Sequence, residues 1–131
     1  MIVLDASVMV DLLLDTARTA EAIRERLRVE RSGFAAPHLL DAEVGQVLRR
    51  FVLSGKLTSE RALDALEDLA ALPLTRYALT PLLVRAFALR SHATVYDAIY
   101  IALAEGLRAP LLTRDAALAK LPRLRARIEL I

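Results

Sequence analysis

The chain has 131 residues, 56% of them hydrophobic and 26% charged, with a formal net charge of +2. That is long enough and apolar enough to bury a substantial core, which excludes a disordered chain. It contains no cysteine, which excludes disulfides, thiolate zinc sites and cysteine nucleophiles.

Ile2, Val3 and Leu4 form an apolar run without polar alternation, the pattern of a strand buried on both faces, and Asp5 stands where it must end. A short helix is expected from about Val8 to Leu14, broken by Asp15-Thr16, and a second from about Arg18 to Glu30, ended by Ser32-Gly33. Phe34-Ala35-Ala36 reads as a second strand stopped by Pro37, followed by a helix over about Leu39 to Leu53. Thr58-Ser59-Glu60 opens another helix, with an apolar stripe of Leu63, Leu66, Leu69 and Ala70, ended at Pro73. Leu74 to Leu79 reads as a third strand. Thr80-Pro81 then opens a helix to about Arg90, with Thr as cap and Pro in the first turn. Thr94 caps a helix over about Val95 to Leu107, Pro110 to Thr113 is a fourth strand, Asp115 to Leu121 a short helix and Arg127 to Ile131 a last strand. Strands alternating with helices predict a single α/β domain spanning residues 1–131, a sandwich with a parallel central sheet and helices on both faces. The uncharged run Ala98 to Ala104 falls far short of the roughly 20 residues of a membrane span. The N-terminus has no basic leader and is interrupted by Asp5 and Asp11, so no signal peptide is expected and the cytoplasm is the expected location.

Acids recur at strand ends and helix starts: Asp5 after the first strand, Glu43 in the first turns of the helix after the second, Asp97 in the first turn after Thr94, and Asp115 after the fourth strand. Each has a plain explanation as a helix cap or a charge favoured by a helix dipole. In a parallel sheet, however, strand C-termini and the N-termini of following helices share one edge, where such sheets bind ligands. The four side chains can therefore converge. Convergent carboxylates repel, and a cation relieves the repulsion. All-oxygen ligands select Mg²⁺ or Mn²⁺, whose chemistry in such a site is phosphodiester hydrolysis. Asp11, Asp15 and Asp41 are read as surface acids outside this cluster.

The segments Val3-Leu4-Asp5-Ala6-Ser7, Ala42-Glu43-Val44, Val95-Tyr96-Asp97-Ala98-Ile99-Tyr100-Ile101-Ala102-Leu103-Ala104 and Leu112-Thr113-Arg114-Asp115 together resemble the PIN domain. More narrowly, they resemble the VapC-type toxin ribonucleases of toxin–antitoxin pairs. The resemblance implies a Mg²⁺- or Mn²⁺-dependent endoribonuclease, with Asp5, Glu43, Asp97 and Asp115 as metal ligands, directly or through water, and Thr113 and Ser7 assisting through their hydroxyls. It also implies an RNA substrate, a homodimer, a cognate antitoxin whose C-terminal segment blocks the site, and a sheet ordered third, second, first, fourth, fifth.

Two arginines are candidates for RNA phosphate contact: Arg50, two helical turns beyond Glu43, and Arg114, between Thr113 and Asp115. A solvated surface role fits both equally. Tyr100, one turn after Asp97, is read as a core tyrosine with a satisfied hydroxyl, with base stacking as the competing role. All cations but Lys56 and Lys120 are arginine and the pI is near 9.4, which suits phosphate contact but also follows from GC-rich coding. A dehalogenase-type phosphatase needs an acid where Ser7 stands. A receiver module needs an Asp after the third strand, and Tyr77-Ala78-Leu79 offers none. The remaining alternative is a catalytically inert PIN scaffold that binds a partner protein.

Overall fold

The computed structural model describes residues 1–131, apart from the side chain of Ala17. The elements run β1 (Ile2–Leu4), α1 (Ala6–Leu13), α2 (Ala17–Arg28), β2 (Phe34–Pro37), α3 (Leu39–Leu53), α4 (Ser59–Ala71), β3 (Leu74–Tyr77), a 3-10 turn (Thr80–Leu82), α5 (Leu83–Ala88), α6 (Val95–Leu107), β4 (Leu111–Thr113), α7 (Ala116–Ala119) and β5 (Ile128–Leu130). The five strands form one sheet in the order β3-β2-β1-β4-β5, and every pairing is parallel. Helices cover both faces, giving the expected α/β sandwich.

β1 is central because it is apolar on both faces. Ile2, Val3 and Leu4 are each at most 1% exposed, and burying each such side chain contributes about 1.5–3 kcal/mol. α1 to α4 pack on one another, while α5 packs on α6, which lies against β1, β2 and β4. α6 carries a long apolar run, buried from Ala98 to Ala104. No helix among the described residues is long and apolar enough to cross a membrane.

Several local expectations are corrected. Pro37 does not stop β2 but ends it, in register with Tyr77. The next amide, His38 N–H, bonds to Tyr77 O at 2.9 Å, so by alternation the Pro37 nitrogen faces β1 beyond the last register pair, Val3–Ala35. The missing donor is not needed there. α4 is rotated from the expected stripe: Ala62, Ala65 and Leu69 are buried, while Leu63 and Leu66 are 61% and 38% exposed. The small alanines let α4 approach its neighbours closely and leave the two leucines on the rim of a groove shared with Val52 and Leu53 of α3. Thr80 lies inside the 3-10 turn and makes no side-chain cap, and α5 ends at Ala88, short of Arg90.

Candidate active site

The sheet's C-terminal edge carries the acids. β1 is followed by Asp5, whose Oδ1 accepts from the Val8 amide at 3.0 Å and from the Ser7 hydroxyl at 2.6 Å. Its Oδ2 accepts from the Thr113 hydroxyl. Thr113 is fully buried at the end of β4, and its Oγ1 in turn accepts from the Asp115 amide at 3.0 Å. Ser7 Oγ accepts from the Arg114 amide at 3.2 Å. Two hydroxyls thus tie the end of β1 to the end of β4, and both oxygens of Asp5 are fixed by donors from three residues.

The remaining acids come from helix starts. Asp115 caps α7, with Oδ1 accepting from the Ala117 amide at 2.8 Å. Asp97 lies in the first turn of α6, and its amide donates to Thr94 Oγ1 at 3.2 Å. Glu43, in the second turn of α3, accepts a 2.7 Å hydrogen bond from the Tyr100 hydroxyl. A cavity of about 170 Å³ is lined by Asp5, Glu43, Asp97 and Asp115, together with Ala6, Ser7, Tyr100 and Leu118. Capping and convergence are therefore both true. Asp5 and Asp115 cap their helices, and the same geometry turns them toward one space.

The electrostatics follow from that crowding. Burial pushes the Glu43 carboxyl above its ordinary range, the Tyr100 hydrogen bond opposes this, and the charges of Asp97 and Asp5 add to it. Asp97 is likewise raised, first by burial, against a hydrogen bond with Thr94 and with Asp115 and Asp5 adding repulsion. The Tyr100 hydroxyl is pushed far up by burial and by Glu43, so it remains a donor. Sequence reasoning placed Tyr100 in the core and missed this contact; the spacing Asp97 to Tyr100, three residues along one helical face, was the available signal.

The candidate arginines are not brought into the cavity. Arg50 is exposed in the last turn of α3. Arg114 turns instead to Asp11 on α1, with Nη1 2.8 Å from Oδ2. Asp11 is not the surface acid expected from its position: it is 5% exposed, on a helix none of whose residues is exposed. Its Oδ2 has no aligned hydrogen bond, so the contact with Arg114 is coulombic rather than directional. Ser7 and Asp11 stand one turn apart on α1, so Arg114 is held there by both its amide and its guanidinium. Asp15 and Asp41 lie outside the cavity, paired with Arg24 at 2.6 Å and Arg76 at 2.8 Å.

The donor set is oxygen alone, which suits a hard divalent cation. As the side chains stand, no group of three or more carboxylates among the described residues is drawn to direct-ligation spacing.

Against known proteins, the sequence matches the PIN domain family over residues 2–124. The chain belongs to the PIN domain family. Within it, the chain is closely related to the VapC toxins. It is 45% identical over 130 residues to ribonuclease VapC1 of Mycobacterium tuberculosis, covering 98% of this chain and 96% of that one. It is 42% identical over 131 residues to ribonuclease VapC12 of the same organism, covering 100% and 99%. Among solved structures, M. tuberculosis VapC20, a toxin cleaving the sarcin–ricin loop, superposes with a TM-score of 0.73 at 12% identity over 97% of this chain and 99% of that one. That likeness shows the shared fold.

Proposed function

We propose that this PIN-domain protein is a Mg²⁺- or Mn²⁺-dependent endoribonuclease acting in the cytoplasm as the toxin of a type II toxin–antitoxin pair, and that it works as a homodimer restrained by a cognate antitoxin. One observation carries the reading: four carboxylates from four separate elements, Asp5, Glu43, Asp97 and Asp115, line a single cavity at the sheet's C-terminal edge. The near-full-length relationship to proteins named ribonucleases supports it.

The donor chemistry fits the cation. Two of the acids are raised by burial and mutual repulsion, a cost that a bound divalent ion offsets. Mg²⁺ retains several waters, so the absence of three carboxylates at direct spacing is compatible with one or two direct ligands and the rest acting through water. When bound, the ion supplies an activated water and charge stabilisation at phosphorus. In this reading Ser7 and Thr113 hold Asp5 in one orientation, Tyr100 holds Glu43, and the caps made by Asp5 and Asp115 keep both carboxylates on rigid elements. Metal-free, the acidic cavity attracts a guanidinium, the group an inhibiting antitoxin segment would present.

The test is cleavage of total RNA by the purified protein with Mg²⁺, with Mn²⁺ and after chelation, beside Asp97→Asn. Cleavage that needs either ion and is lost in the variant is expected. Activity that survives thorough chelation would sink the metal-dependent reading, and a folded protein that cleaves nothing would leave an inert scaffold.

A further inference from the structure

A second cavity, of about 620 Å³, opens at the other edge of the sheet, lined by Glu105, Arg108, Ala109, Pro110, Arg125, Ala126 and Arg127. Pro110 precedes β4 and Arg127 precedes β5. The cavity therefore lies at the strands' N-terminal ends, opposite the edge reached by Asp5 and Asp115.

Its positive charge is built in. Glu105, with a side chain 7% exposed, accepts from Arg85 at 2.7 and 3.0 Å and from the Arg125 amide at 2.9 Å. Arg85 also donates to the Arg123 carbonyl at 3.4 Å. One buried acid thus fastens the segment carrying Arg123 and Arg125 to α6, whose C-cap is Arg108. Arg108 and Arg123 both hold positive φ, 51° and 61°, a conformation that side chains other than Asn and Gly rarely adopt. Glu129 is shared between Arg26 and Arg127, and among the described residues Arg108 and Arg125 make no ion pair. Three arginines, Arg108, Arg125 and Arg127, therefore line a cavity whose nearby acids are already engaged.

We propose that this cavity binds the phosphodiester backbone of single-stranded RNA, as a second contact on the substrate away from the carboxylate site. The inference rests on the ribonuclease reading. A cavity lined by four acids repels a polyanion, and a chain of net charge only +2 needs its cations gathered to hold one. Guanidinium groups pair with phosphate through two parallel hydrogen bonds.

The experiment measures binding of a labelled, mixed-sequence single-stranded oligoribonucleotide to the full chain in EDTA, across a salt series, by fluorescence anisotropy. Arg108→Asn/Arg125→Gln removes two charges with a residue that tolerates the backbone at 108. Arg49→Gln/Arg90→Gln is the charge-matched control on other exposed surface. Two lost contacts should reduce the slope of log affinity against log salt by about 1.4, at about 0.7 per single-strand phosphate, with no such change in the control. In cleavage with Mg²⁺, KM should rise while kcat stays the same. Independently of any variant, RNA should protect Arg108 and Arg125 of the wild-type chain from phenylglyoxal, read by mass spectrometry. Equal salt slopes in all three proteins, an equal loss in variant and control, or no protection at these arginines would overturn the second site while leaving the ribonuclease reading intact. A wild-type chain that neither binds nor cleaves RNA would overturn both.

Discussion

The hydroxyl of Tyr100 donates a 2.7 Å hydrogen bond to Oε1 of Glu43, joining α6 to α3 across the acidic cavity. Tyr100 is 3% exposed, so the ring is a core side chain and the hydroxyl is part of the site.

Tyr100→Phe keeps the ring and removes the donor. The bond lowers the Glu43 pKa against burial and repulsion, so its loss should move Glu43 further up. Carboxyl-resolved NMR titration of the metal-free protein should show that rise. A hydrogen bond to a charged group contributes about 1.5–3 kcal/mol; solvent screening at half-buried Glu43 brings the expected stability loss below that range, to about 1 kcal/mol, read by thermal melting. An unmoved Glu43 titration would mean that the bond does not bias its ionisation.

Thr113 is the buried hinge between Asp5 and Asp115, donating to one side chain and accepting from the other's amide. Thr113→Val conserves shape but leaves a carboxylate oxygen and an amide without partners. The expected loss is about 1–3 kcal/mol for each unsatisfied group. Thr113→Ser restores the hydroxyl and should recover most of the stability and any RNA cleavage. A valine variant that melts and cleaves like wild type would assign the hinge to packing alone.

Asp11 and Arg114 form an asymmetric pair, the acid 7% and the guanidinium 46% exposed at their side chains. Arg114→Gln should therefore be more harmful than Asp11→Asn, because it leaves a charge buried without its counter-ion. Solvent around Arg114 keeps the coupling in a double-mutant cycle near about 1 kcal/mol. Equal losses in the two single variants would argue that the pair contributes through packing rather than through charge.

The architecture was legible because its signals are local. Ile2–Leu4 could be buried only at the sheet centre, and Thr94 three residues before Asp97 marked the start of α6. The four acids were legible as a set through their recurrence at strand ends and helix starts, which share one edge of a parallel sheet. Three features were not. The rotation of α4 onto Ala62 and Ala65 depends on how closely α3 lies, and leucines at helical spacing outweigh alanines in any reading by pattern. The partner of buried Asp11 is Arg114, more than 100 residues away. The Tyr100–Glu43 bond likewise spans 57 positions; the three-residue step from Asp97 sets Tyr100 on the same face of α6 but does not identify its partner.

Asp97→Asn separates a metal-site carboxylate from a structural one. In metal-free wild type, Asp97 and Glu43 have folded pKa values above the ordinary 3.8 and 4.5. The folded state then binds more protons than the unfolded chain, so these groups weaken the fold as pH rises from their ordinary values through the raised ones. Carboxylates held below their ordinary range, such as Glu30, Glu105 and Glu129, act in the opposite sense but equally in both proteins, so they cancel in the difference. The α6 cap itself is the Thr94 hydroxyl on the Asp97 amide, which Asn retains. In EDTA at neutral pH, Asp97→Asn should therefore be at least as stable as wild type, and the gap should close as pH falls below about 4. With Mg²⁺ at a hundred times its dissociation constant, wild type should gain about 2.7 kcal/mol, and the variant less at the same concentration. RNA cleavage should fall by orders of magnitude as the ion is lost or displaced. Melting curves with and without Mg²⁺ at two pH values, beside a cleavage assay, measure all three. Equal stabilisation by Mg²⁺ and near-normal cleavage would reduce Asp97 to the first turn of a well-capped helix.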